Sequence, residues 1–177
     1  MDDKDRAREK ARSVAWIVLD VDGVLTDGRI FLDGAGGEWK AFDVRDGHRI
    51  VMAAQAGIRT VFLSGRASPV IERRAAELGV HRVFQGARDK GDVLERFFRE
   101  EGARPEQTAY LGDDLVDLPA LRRAGFAAAV GDAVPEVQEA ADWVTAAPGG
   151  RGAVRELVEF ILMAQGRWES ALAGYRR

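Results

Sequence analysis

At 177 residues, with 46% hydrophobic and 31% charged residues and no cysteine, the chain suits one domain that folds without disulfides or thiolate-bound metal. Its 26 basic and 29 acidic residues give a net charge of −3 with both signs interspersed, which excludes a basic nucleic-acid-binding face and points to a small partner. With only two histidines, a metal would be held by oxygen, which favours magnesium over zinc.

Residues 1–13 are too charged for the apolar core of a secretory signal and are expected to form a frayed or loosely helical leader. No later run approaches the length of a membrane span, so a soluble cytoplasmic protein without a membrane partner is expected. Residues 14–19, Val14-Ala15-Trp16-Ile17-Val18-Leu19, read as a central parallel strand covered on both faces. Asp20 and Asp22 follow it; the i, i+2 spacing points both side chains the same way on an extended backbone, and Gly23 permits a sharp turn.

Next, residues 29–32 and 38–42 flank a glycine-rich loop and read as a β-hairpin, placed where α/β folds put active-site loops. A lone two-stranded unit carrying aromatic residues is marginal in water, so oligomerisation through this hairpin is expected. Helical spacing over about 47–56, 69–78, 90–101 and 114–124 then alternates with strands at 58–63, 82–84, 108–111 and 126–130, with stops at Gly57, Gly79, Gly102 and Gly125. Trp143-Val144 adds a short edge strand, and a last helix from about residue 153 gathers Val154, Leu157, Val158, Ile161 and Leu162 on one face. The alternation is that of a doubly wound α/β sheet.

Four separated elements close a strand or open a helix with residues suited to phosphate chemistry: Asp20-Val21-Asp22-Gly23, Ser64-Gly65-Arg66, Lys90, and Gly112-Asp113-Asp114 with Asp117. Taken singly, a Ser-Gly turn, a lone lysine or an Asp-Asp pair is more often a cap or a solvated group. In a parallel sheet all four fall on one edge and converge on one cleft, which is what gives the set meaning.

With these residues in place, the chain resembles the haloacid dehalogenase superfamily of phosphohydrolases. More narrowly it is similar to the 3-deoxy-D-manno-octulosonate 8-phosphate phosphatases, through Asp22-Gly23-Val24-Leu25-Thr26-Asp27-Gly28, Lys40-Ala41-Phe42-Asp43-Val44-Arg45-Asp46-Gly47, Ser64-Gly65-Arg66, Phe84-Gln85-Gly86, Tyr110-Leu111-Gly112-Asp113-Asp114 and Gly149-Gly150-Arg151-Gly152-Ala153-Val154-Arg155-Glu156. The resemblance spans residues 14–165. It implies a Rossmann-like three-layer sandwich over that range, a cap reduced to the hairpin, and a C-terminal tail over 166–177.

The resemblance also implies roles. Asp20 would be the nucleophile and form an aspartyl-phosphate, while Asp22 would protonate the departing sugar oxygen and then activate water. Asp20, Asp113 and the backbone carbonyl of Asp22 would hold magnesium. Ser64 and Lys90 would neutralise the transferring phosphoryl group, with Asp114 and Asp117 as outer residues and Gly23 and Gly65 shaping the turns.

For the substrate, Asp22 and Lys90 would be joined by Asp43, Val44, Arg45, Asp46 and Gly47, by Arg66 and by Arg74, guanidinium suiting the carboxylate of a sugar acid. On the residues alone, Arg74 reads equally well as a solvated helical arginine, and Arg45 as a brace for a subunit interface. Arg66 favours the eight-carbon substrate, since phosphatases for nine-carbon keto-deoxy sugar acids tend to carry glutamate there. Asp43, His48 and Val51 depart from the commoner family residues, which touches specificity and not catalysis. In the family the tail carrying Trp168 and Tyr175 either packs or reaches a neighbouring active site.

The activity implied is magnesium-dependent hydrolysis of 3-deoxy-D-manno-octulosonate 8-phosphate to the free sugar acid and phosphate, in lipopolysaccharide biosynthesis, by a homotetramer. The alternatives are a phosphatase for a nine-carbon sugar acid 9-phosphate or for sugar phosphates broadly, and, in a different class, a non-catalytic assembly module of the kind attached to cytidylyltransferases. The intact Asp20, Asp22, Ser64, Lys90 and Asp113 argue against the last.

Overall fold

The computed structural model describes residues 3–176. Helix α1 (Asp3–Arg12) carries acids in its first turn and Lys10 and Arg12 in its last, in keeping with the helix dipole. Of the two forms expected for the leader, frayed or loosely helical, the helical one is present, and it is docked: Ala7 and Ala11 are buried, and Lys10 pairs with Asp142 at 2.6 Å. Two alanines four apart are too small to register as an apolar stripe, yet they let the helix approach closely. Strand β1 (Trp16–Leu19) is buried along its whole length.

The hairpin forms, but as a ribbon of only two residues per strand, β2 (Phe31–Leu32) and β3 (Glu38–Trp39), with Phe31 opposite Trp39 and Leu32 opposite Glu38. Asp33 closes its loop by accepting from the backbone N–H of Ala35 and Gly37. Helix α2 (Val44–Gln55) begins ahead of the expected residue 47 because Asp43 caps it, accepting from the N–H of Arg45 and Asp46. The segment 43–47, expected as a substrate-binding loop, is therefore a capped first turn.

Strand β4 (Arg59–Leu63), helix α3 (Pro69–Leu78), strand β5 (Arg82–Phe84) and helix α4 (Lys90–Glu101) follow the sequence expectation closely, with Ser68 and Asp89 as N-caps. After β6 (Thr108–Gly112) the helix expected over 114–124 is broken. A 3-10 turn, Leu115–Asp117, precedes the short helix α5 (Leu118–Leu121), since Asp117 folds back onto the N–H groups of Asp113 and Asp114 and Pro119 follows. Strand β7 (Phe126–Ala129), helix α6 (Pro135–Ala140), strand β8 (Trp143–Val144), helix α7 (Ala153–Ala164) and helix α8 (Trp168–Leu172) complete the chain.

The six-stranded sheet runs β5-β4-β1-β6-β7-β8, with every pairing parallel. The chain first steps outward from β1 to β5 and then returns to the other side of β1, so right-handed crossovers put α2 and α3 on one face and α4 to α6 on the other. Helix α7 packs on α1 and α2, burying Val154, Leu157, Val158, Ile161 and Leu162. Its N-terminus is capped from α2: buried Asp46 accepts from the N–H of Gly152 at 3.1 Å and of Arg155 at 2.8 Å. The tail folds over α2, where Tyr175 hydrogen-bonds His48 at 3.0 Å and Arg49 stacks over Trp168. Among the described residues no helix is long and apolar enough to cross a membrane.

Candidate active site

The carboxyl ends of β1, β4 and β6 deliver Asp20, Ser64 and Asp113 to the same sheet edge, and α4 opens there with Lys90. A lysine at a helix N-terminus works against the helix dipole, so its position calls for strong partners. It has two: Lys90 Nζ lies 2.7 Å from Asp20 Oδ1 and 2.6 Å from Asp117 Oδ1, all three groups being buried. Burial alone would lower the pKa of Lys90, but the two carboxylates outweigh it and raise it, so the ammonium stays charged.

Asp117 is fully committed. Its Oδ1 also accepts from the Tyr110 hydroxyl at 2.6 Å, and its Oδ2 accepts from the N–H of Asp113 at 3.0 Å and of Asp114 at 3.2 Å. Tyr110 is a strict donor here, since burial first and the neighbouring carboxylates next push its pKa well up.

Asp20, Asp113 and Asp117 each place a carboxylate oxygen within 4.8 Å of the others. Because Asp117 is saturated, the cation-binding capacity falls to Asp20 and Asp113, and Asp113 Oδ1 is a buried oxygen with no hydrogen-bond partner. Burial first, then the neighbouring carboxylates, push Asp113 up to about 9. Burial and Asp117 likewise raise Asp20 to about 6 against the opposing pull of Lys90. A hard divalent cation between these oxygens supplies the positive charge that lets both ionise, so the donor set fits magnesium.

Local backbone geometry makes room for this arrangement. Gly23 has φ +96°, and a Cβ there would stand 2.0 Å from Asp113 Oδ2. A Cβ on Gly149 would stand 1.7 Å from the Gly23 carbonyl oxygen, and Gly150 N–H donates to the Val24 carbonyl, so the 149–150 segment clamps the loop that follows β1.

Ser64 is buried and pinned through its backbone to Phe84 and Ala87, and its Oγ accepts from Arg66 N–H at 3.1 Å, leaving its own hydroxyl proton to donate. Asp22 has a lysine of its own, forming an ion pair with Lys40. Glu38 stands beside both, with Oε1 3.2 Å from Lys40 Nζ and Oε2 2.8 Å from Arg66 Nη2. Arg66, mainly, holds Glu38 down at about 2.

Asp20, Asp22, Gly65, Arg66, Lys90, Asp113 and Asp114 thus line one cleft of about 200 Å³, together with Val116. A larger cavity of about 580 Å³ between α2 and the tail, walled by residues such as Met52, Gln55 and Ser170, contains neither carboxylate nor lysine, whereas the residues suited to phosphate chemistry gather in the smaller cleft. The remaining substrate-binding candidates are placed differently. Asp43, Val44 and Arg45 form the capped turn of α2, with Arg45 paired to Asp43. Asp46 is occupied by α7, which leaves no free carboxylate for a sugar. Arg74 lies over Gly47, where a Cβ would meet its guanidinium at 2.2 Å; it stacks on Phe42 and pairs with Glu77, so it is neither solvated nor among the cleft residues.

Sequence reasoning gave no role to Lys40, Glu38, Tyr110 or Val116. The alternation of Glu38 and Lys40 on one strand, and a hydroxyl inside the apolar run of β6, were the available signals.

The profile of the haloacid dehalogenase-like hydrolases matches residues 77–157. Over 162 residues the chain is 41% identical to the 3-deoxy-D-manno-octulosonate 8-phosphate phosphatase KdsC of Escherichia coli K12, with 92% of this chain and 86% of that protein covered. With the KdsC of Haemophilus influenzae it shares 44% identity over 160 residues, 90% and 89% being covered. The crystal structure of 3-deoxy-D-manno-octulosonate 8-phosphate phosphatase from Moraxella catarrhalis, in complex with magnesium, phosphate and KDO, superposes with a TM-score of 0.94 at 38% identity, covering 97% of this chain and 98% of that one.

Proposed function

The chain belongs to the 3-deoxy-D-manno-octulosonate 8-phosphate phosphatase family of haloacid dehalogenase-like hydrolases, and we propose that it hydrolyses that sugar-acid phosphate to KDO and inorganic phosphate, a step toward bacterial lipopolysaccharide. One observation carries the reading: two aspartates two residues apart are held by two different lysines, Asp20 by Lys90 and Asp22 by Lys40, so they are set up for different work.

An Asp20 carboxylate oxygen attacks phosphorus as the bond to the sugar oxygen breaks, and the Asp22 carboxyl gives that oxygen its proton. Asp22, now ionised, takes a proton from water; the hydroxide adds to phosphorus, phosphate leaves, and the Asp20 carboxylate is restored. Lys90 orients Asp20 and offsets phosphoryl charge, while the Ser64 hydroxyl and the Gly65 turn donate to phosphoryl oxygens. Asp20, Asp113 and the Asp22 carbonyl would hold magnesium, which supplies charge neutralisation at the phosphoryl oxygens. Arg66 exchanges Glu38 for the carboxylate of the sugar acid, and this guanidinium supports the eight-carbon substrate.

The exposed Phe31, Leu32 and Trp39 of the hairpin support assembly as a homotetramer, and we place the enzyme in the cytoplasm. Phosphate release from a panel of eight- and nine-carbon sugar-acid phosphates, with magnesium and after chelation, tests the reading. Metal-dependent turnover with the highest kcat/KM on the eight-carbon ester is expected, and turnover of none of them would overturn it.

A further inference from the structure

The hairpin is exposed at Phe31, Leu32 and Trp39, yet the Lys40 side chain directly after it is wholly excluded from solvent. Burying an ammonium is costly unless it is paired, and no need of the ribbon's own folding calls for one there. Its partners explain the placement. Lys40 Nζ contacts Asp22 Oδ1 and lies 3.2 Å from Glu38 Oε1, while Glu38 Oε2 takes Arg66 Nη2 at 2.8 Å. The four groups form a chain of alternating charge, Asp22, Lys40, Glu38, Arg66, running from the proposed proton donor to the proposed recognition group.

We propose that Lys40 is a positioning residue for the acid step, with Glu38 as its anchor. Lys40 occupies Oδ1 of Asp22, which lines the cleft, so Oδ2 is the oxygen left to carry the proton to the departing group. Glu38, at the start of β3 and two residues earlier, holds Lys40 by charge at 3.2 Å, its Oε1 being a buried oxygen with no hydrogen-bond partner. The hairpin is then part of the proton-transfer machinery as well as a cover for the cleft. This inference rests on the assignment of Asp22 as the acid.

The test separates proton donation from everything else by varying the leaving group. Simple phosphate esters without a carboxylate, from 4-nitrophenyl phosphate through phenyl phosphate to an alkyl phosphate, remove recognition by Arg66; kcat/KM reports only steps up to departure of the leaving group. An alkoxide needs a proton to leave and 4-nitrophenolate does not. For Lys40→Met, kcat/KM on the alkyl ester should fall about 10-fold or more, and on 4-nitrophenyl phosphate less than about 3-fold. Lys40→Arg should recover part of the loss. Equal losses on all esters, or no loss, would overturn the proposal and leave Lys40 a structural residue. Asp22→Asn is measured alongside: if it leaves the alkyl ester untouched, the acid assignment itself fails, whereas a selective loss for Asp22→Asn with a uniform one for Lys40→Met rejects only the role of Lys40. Should Lys40→Met not fold by circular dichroism, Glu38→Gln replaces it under the same criteria.

Discussion

Asp20 and Asp113 tie stability to pH through a single cause, two carboxyls buried side by side. Their pKa values in the folded protein, about 6 and about 9, both stand above the ordinary 3.8. Between those limits the folded state holds more protons than the unfolded chain, so the stability they contribute is full below about 3.8 and is lost as pH rises through about 6 and about 9. The metal-free protein should therefore melt at a lower temperature at about pH 9 than at about pH 5, and Asp113→Asn should flatten that dependence. Magnesium, which removes the repulsion, should raise the melting temperature more at the higher pH; an equal rise at both would count against these two residues as its ligands. Asp20→Asn relieves the same repulsion, so it should retain or gain stability while losing on the order of 10³-fold or more in phosphate release. Near-wild-type turnover of that variant would refute the nucleophile. The gathering of Asp20, Ser64, Lys90 and Asp113 at one sheet edge was legible in the sequence because each ends a strand or opens a helix. Lys40 and Tyr110 were not, because their meaning lies in partners that only the fold brings near: Lys40 reaches back to Asp22, and Tyr110 stands in a run that reads as plain core.

Helix α7 begins on a borrowed cap. Gly152 at its N-cap offers no side chain, and Asp46 from α2 reaches across to accept two N–H groups there. Asp46→Ala would leave both donors unpaired, the Gly152 N–H in a buried place and the Arg155 N–H in a partly buried one, which should cost about 1–3 kcal/mol and lower the unfolding midpoint in urea. Asp46→Asn keeps an acceptor and should lose less. If Asp46→Ala melted normally but raised KM for the sugar phosphate, the carboxylate would belong to substrate binding after all. No local pattern could have foretold this contact, because it joins residues more than a hundred positions apart. The same limit explains α1, whose docking needs a partner helix, and the short ribbon, whose length is set by where Asp33 closes the loop and where Lys40 turns inward. By contrast α3 and α4 carry their own start and stop signals, Ser68 and Asp89 before them and Gly79 and Gly102 after, and they fall where the sequence predicts.

For the molecule as a whole, the doubly wound class was readable from strand-helix alternation while the order of the strands was not, and the proposed assembly turns on a surface that one chain leaves uncovered. Phe31 and Trp39 face each other across the ribbon at 58% and 68% exposure, and Leu32 beside them reaches 73%. Three large apolar side chains on a ribbon of two residues per strand cannot be shielded by the ribbon itself, and in the proposed tetramer another copy would cover them. The ribbon also carries Glu38 and directly precedes Lys40, so whatever holds it in place also holds Asp22. Sedimentation should give a tetramer for the wild type, and Leu32→Asp with Trp39→Lys should give smaller species that keep their secondary structure. The dissociated variant should lose more kcat/KM on the sugar-acid phosphate than on 4-nitrophenyl phosphate, because a loosened ribbon weakens both the proton donor and the Glu38 anchor of Arg66 while leaving Asp20, Lys90 and Asp113 in the sheet. A wild type that sediments as a monomer, or a dissociated variant with both activities intact, would detach the ribbon from assembly and from catalysis respectively.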